Sequence, residues 1–226
     1  MKKYSTFLTL GVFASAMGIL EAAVVVYLRR LYYPLGFSFP LSGIPQEMIS
    51  VEVIREAATV VMLACAGALA GRDLPRKLAY FIFSFGAWDI FYYAGLRYFL
   101  GWPPSLLTWD VLFLIPVPWL APVLAPLLCA LTMVLLSILA VAGLENGRAV
   151  RPTPVRLGLL AGGAALILYT FLRDGFPAAA GSEAARQALA QYMPANYSWA
   201  LFGLGEALIL AAAALTLRGA LRGRSG

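Results

Sequence analysis

The chain reads as an all-α integral membrane protein: six transmembrane helices and one short re-entrant or interfacial helix, forming a single transmembrane domain over 1–226 with both termini cytoplasmic. Three observations carry that expectation. Hydrophobic residues make up 62% of the chain and charged residues 12%, with mean hydropathy +0.82, whereas soluble domains are about 45–50% apolar and about 25% charged. The apolar residues fall in runs of the roughly 20 residues that a helix needs to cross a bilayer. The basic residues flank those runs with a consistent sidedness.

The first expected helix is 6–28. Lys2-Lys3, an apolar run and Ala14-Ser15-Ala16 imitate a signal peptide, but the run continues to Leu28 and reads as a span. Helices are expected next at 50–71, 78–98, 119–143, 156–173 and 198–218. The fifth is short, and its Gly162-Gly163 pair suits close packing by a neighbour. Residues 103–143 are apolar almost throughout, but Pro116, Pro118, Pro122 and Pro126 punctuate them. Proline removes a donor and clashes with the preceding turn, so this region predicts a short helix over 105–115, capped by Ser105, then a turn, then helix 119–143. The loop 29–49 is rich in aromatics and prolines suited to the headgroup region. A surface helix is expected from Ser182 to Met193.

Orientation follows from the cations. With the chain in a cell's inner membrane and both termini in the cytoplasm, eleven basic residues lie on the cytoplasmic side: Lys2, Lys3, Arg72, Arg76, Lys77, Arg148, Arg151, Arg156, Arg218, Arg222 and Arg224. Five lie outside (Arg29, Arg30, Arg97, Arg173 and Arg186), and Arg55 is embedded. The acids show the opposite bias, with only Asp73 and Glu145 inside.

Several acids then fall inside apolar stretches, where a charge costs at least ~2.5–3.5 kcal/mol. At ~1.5 Å rise per residue, Glu21, Glu56, Asp89 and Glu206 lie roughly 9–13 Å below the outer helix ends, with Glu52 and Asp110 at the rim. Together these six acids form a candidate cation- or proton-binding layer, with Arg55 balancing charge and Tyr93, at i+4 from Asp89, in support. Glu21, Glu56, Asp89 and Glu206 are the candidate metal ligands. Oxygen donors without histidine favour a hard divalent cation.

Each reading has a plainer rival. Glu52 and Arg55 make an ion pair at an outer turn, where acids suit the helix dipole. Glu21 and Glu206 follow Gly18 and Gly203 at i−3, and either could be a neutral glutamate hydrogen-bonded between close-packed helices. Trp88 and Tyr92 suit an aromatic belt, and Asp110 could simply face water. Arg29, Arg30 and Arg97 are expected to snorkel to headgroups, to meet a lipid phosphate or to neutralise the acids. Gly18-Ile-Leu-Glu21-Ala22 echoes Gly203-Leu-Gly-Glu206-Ala207, and Trp88-Asp89 echoes Trp109-Asp110, a weak hint of duplication.

The chain has no histidine, and its lysines are confined to Lys2, Lys3 and Lys77. This argues against histidine-ligated haem, zinc-histidine and Ser-His-Asp chemistry, and a retinal Schiff base. Cys65 and Cys129 read as small buried hydrophobes. The cations sit at helix ends, so the net charge of +6 is no case for nucleic acid. The expected partners are the bilayer and a homo- or hetero-oligomer. Three functions remain open: movement of protons or a hard divalent cation, an intramembrane enzyme acting on a lipid or isoprenoid-type substrate from the periplasmic side, and a non-catalytic subunit of a larger complex.

Overall fold

The computed structural model describes residues 2–146, 153–176 and 191–222. They form six long helices and one two-stranded hairpin. The order is α1 (Lys2–Tyr32), α2 (Gln46–Ala70), α3 (Leu74–Leu100), β1 (Trp109–Phe113), β2 (Trp119–Pro122), α4 (Leu124–Glu145), α5 (Pro154–Leu172) and α6 (Trp199–Arg222). All helices but α3 are long and apolar enough to cross a membrane. The 27 residues of α3 also suffice in length, but the helix carries Arg76, Lys77, Asp89 and Arg97. Its position explains the tolerance: α3 packs between α1, α2 and α4, so protein rather than lipid meets much of its surface.

Local chemistry sets the helix ends. Asp73 accepts the Arg76 amide at 3.0 Å and caps α3, with a proline in the first turn. Gly101 ends the same helix with φ +64°, the left-handed conformation that favours glycine. Thr153 caps α5, again with a proline in the first turn.

Small residues set the helix spacing. A Cβ on Gly18 would lie 2.5 Å from the Trp88 carbonyl oxygen, so α1 and α3 touch backbone to backbone there. Gly163 and Gly205 do the same for α5 and α6, each within 2.8 Å of the other's carbonyl oxygen if given a Cβ. Gly203, expected to mark a close approach, has open space around it, and the contact belongs to Gly205 two residues on.

The expected short helix at 105–115 is absent. That region is a turn followed by the antiparallel hairpin, with Trp109 opposite Pro122, Asp110 opposite Ala121, Val111 opposite Leu120 and Phe113 opposite Trp119. The register shifts between Val111 and Phe113. Accordingly α4 begins at Leu124, not 119. Proline is the physical reason. Pro116 and Pro118 deny a helix its donors, whereas a hairpin can hold them in its turn, and Pro122 falls at the end of β2. Pro126 falls in the first turn of α4, where no intrahelical donor is needed. Ser105 caps a turn rather than a helix, its hydroxyl accepting the Leu107 amide at 3.2 Å. The expected surface helix from Ser182 falls mostly on residues outside those described, and Tyr192 and Met193 are not helical.

The hairpin runs back into the bundle. Phe113 stacks on Phe85 at 6.2 Å and packs edge-on against Trp88 at 6.1 Å. Those α3 residues lie ~18–22 Å before its C-terminal end at ~1.5 Å per residue. Trp119 meets Phe171 of α5 at 6.1 Å. The Trp88-Asp89 and Trp109-Asp110 echo therefore joins a helix to a strand.

Candidate functional site

The embedded charges fall into two ion-paired groups and three separate carboxylates. The first group joins α1 and α2. Arg55 bridges Glu21 of α1 and Glu52, one turn before it on its own helix; the Arg55 to Glu52 contact is 2.7 Å. The Thr59 hydroxyl donates to the second Glu21 oxygen at 3.1 Å. Glu21 and Glu52 are buried, so the guanidinium neutralises two carboxylates withdrawn from solvent. Glu52, Glu56, Thr59, Leu63 and Gly67 line one buried stripe of α2, the spacing of one helix face. Sequence reasoning missed Thr59, although its place on that stripe, three residues after Glu56, was the signal that could have found it.

Glu56 takes a different role from the one its position suggested. Its carboxylate accepts the backbone amide of Leu114 at 2.8 Å, at the tip end of β1. Non-helical backbone within a bilayer has to be satisfied by protein. Glu56 supplies that acceptor from α2.

The second group holds the strand itself. Asp110 is 1% exposed and binds Arg29 of α1 at 2.8 Å. Its other oxygen accepts the Tyr93 hydroxyl at 3.2 Å. Tyr93 was expected to support Asp89, but it turns instead to the hairpin. The Arg29 guanidinium carbon lies 3.7 Å from the Trp102 ring centre and 4.3 Å from that of Phe37, a cation–π sandwich. Arg29 is thus buried rather than snorkelling: the acid it neutralises and the two rings account for its position. Neutralising an acid was one of the roles expected for Arg29, but nothing in the sequence singled out Asp110, 81 residues away, or the rings that enclose the guanidinium.

Glu206 stands apart from both groups. It accepts the Thr132 hydroxyl of α4 at 2.9 Å, beside the buried Cys129 thiol. It does not reach Arg55 or Glu21. Thr132 and Cys129 lie in an apolar run with no polar pattern, so no sequence signal marked them. Cys129 is buried as expected but beside a carboxylate, while Cys65 is exposed on the helix surface.

Asp89 is the remaining carboxylate. It is half-buried midway along α3 and makes no hydrogen bond or ion pair among the described residues. Asp110 and the Cys129 thiol are among its titratable neighbours. Of the six expected acids, then, Glu21 and Glu52 share one guanidinium, Asp110 has another, Glu56 holds a backbone amide and Glu206 a hydroxyl. The four deep acids do not converge as a ligand set: among the described residues no three acidic or cysteine side chains come together in a way that could hold a metal ion.

The arrangement can thus neutralise charge, satisfy the backbone of the hairpin and present one carboxylate with no partner among the described residues. Comparison with family models, with curated proteins and with solved structures gave no match for this chain.

Proposed function

We propose that the protein is a six-span inner-membrane protein, with both termini cytoplasmic, that binds and moves protons at Asp89, with Glu206 as a second carboxylate across α4. The observation that supports this reading is the state of Asp89: half-buried in the middle of the bundle, with no partner among the described residues, while each of the other five acids has one. An intramembrane carboxylate without a structural partner is a functional site by default. The hairpin beside it adds support, since irregular backbone at membrane depth belongs where protein buries it or a polar cavity runs. A hard divalent cation is less well supported, because such ions take six or more oxygen ligands and, among the described residues, no second and third acid join Asp89 in a group that could hold one.

The test is proton flux into liposomes carrying the purified protein and an internal pH dye, driven by a potassium diffusion potential. Asp89→Asn is expected to abolish the protein-dependent flux, and Glu47→Gln, on an exposed turn of α2, to leave it unchanged. Equal flux through the wild type and the Asp89→Asn protein would sink the proposal.

A further inference from the structure

A cavity of about 410 Å³ opens on the flank of the bundle between α3, the loop 103–106 and the start of α4. Its volume falls within the roughly 300–1,000 Å³ of clefts that hold small ligands. Ile90 and Ala94 of α3 form one wall, Leu127 of α4 the other, and Arg97 and Ser105 stand among the lining residues toward the end of α3. The gradient from apolar wall to cation matches an amphiphile with an anionic head.

The Arg97 side chain is held for such a head. One terminal nitrogen, Nη1, donates to the carbonyl oxygens of Gly101 at 2.5 Å and Pro103 at 2.9 Å. The residue is exposed and pairs with no carboxylate among the described residues. Its remaining N–H donors are thus oriented and available, and a guanidinium edge suits phosphate oxygens. The Ser105 oxygen already accepts the Leu107 amide, which leaves its proton free to donate. Next to it, Leu106 and Leu107 are 50% and 60% exposed in a loop, as expected of a loop that dips into lipid.

We infer that this cavity is a binding site for an anionic phospholipid drawn from the surrounding bilayer, with its phosphate on Arg97 and Ser105 and an acyl chain along Ile90, Ala94 and Leu127. The site is separate from the Asp89 carboxylate and does not depend on proton movement.

Native mass spectrometry of the protein released from nanodiscs of equal phosphatidylglycerol and phosphatidylcholine tests it. Wild type is expected to retain phosphatidylglycerol preferentially. Arg97→Gln should reduce that preference about fivefold, the weight of one cation near an anionic lipid surface, and Arg97→Lys should restore part of it. Ala94→Trp, which fills the cavity, should remove the retained lipid of both kinds. Arg30→Gln, an exposed cation on α1 outside the cavity, should change nothing. Equal retention of the two lipids by wild type overturns the inference, as does an unchanged preference in Arg97→Gln or lipid retained by a folded Ala94→Trp protein. If Ala94→Trp does not fold, the Arg97 pair decides.

Discussion

Arg55 carries the largest electrostatic burden in the bundle. It faces two buried carboxylates and, among the described residues, is the one cation paired with either, so Arg55→Met would leave both uncompensated. Removing one partner of a buried pair costs about 3–5 kcal/mol, and a loss of that order is expected in thermal unfolding in detergent. Adding Glu21→Gln and Glu52→Gln to the same protein should recover much of it, since neutral groups need no counter-charge. Glu56 behaves differently because its partner is an amide. Glu56→Gln keeps an acceptor for Leu114 and should cost little. Glu56→Leu removes it and should cost about 1.5–3 kcal/mol, the usual value for a hydrogen bond to a charged group, again read from the unfolding midpoint. Full flux in a folded Glu56→Gln protein would place Glu56 with the hairpin's support rather than with proton movement.

Elements in this chain are spaced by their smallest residues. The α1 and α3 backbones meet at Gly18, where an added methyl would strike the Trp88 carbonyl and the Tyr92 amide, both main-chain atoms that cannot swing aside. Gly18→Ala is therefore expected to destabilise the protein by about 1–3 kcal/mol, as overpacking does. Gly203→Ala, with open space around the position, should be neutral, so equal midpoints for the two variants in the same detergent would contradict this packing. The hairpin is the element with the greatest leverage. It touches α1 through Arg29, α2 through Glu56, α3 through Tyr93 and Phe85, and α5 through Phe171. Each contact satisfies a polar group or buries a ring, so the strand pair and the charged layer stabilise one another.

At the scale of the molecule, six crossings would return the chain to its starting side. Single cysteines at Ser5 and at Thr153, in a background with Cys65 and Cys129 replaced by serine or alanine, are expected to react with an impermeant maleimide only from the cytoplasmic face. A cysteine at Ser42 should react only from the outside. Labelling of Ser5 and Ser42 from the same side would overturn the topology. The packing divides unevenly. α1 to α4 cluster around α3, while α5 and α6 lie along each other and meet the rest through β2 and α4. Glu206 sits on that second contact, against Thr132.

The number and placement of the long helices were legible in the sequence, because span length and the positions of Arg and Lys follow from the bilayer's thickness and charge rules, which act on one segment at a time. The embedded acids were legible for the same reason: a charge in an apolar run is conspicuous whatever surrounds it. Their partners were not. Arg29 meets Asp110, Glu56 meets the Leu114 amide and Tyr93 turns from Asp89 to Asp110, and each pairing spans tens of residues that only packing brings together. The hairpin was hidden for a related reason. An apolar run broken by prolines says that a helix stops, but whether the chain then pairs with itself depends on the acceptors and rings that α1, α2 and α3 hold out to it. Sequence alone determined that this is a helical, apolar chain of membrane-protein character with acids set in its apolar runs. The tertiary structure decided which of those acids were already spoken for, and left Asp89 as the one without a partner among the described residues.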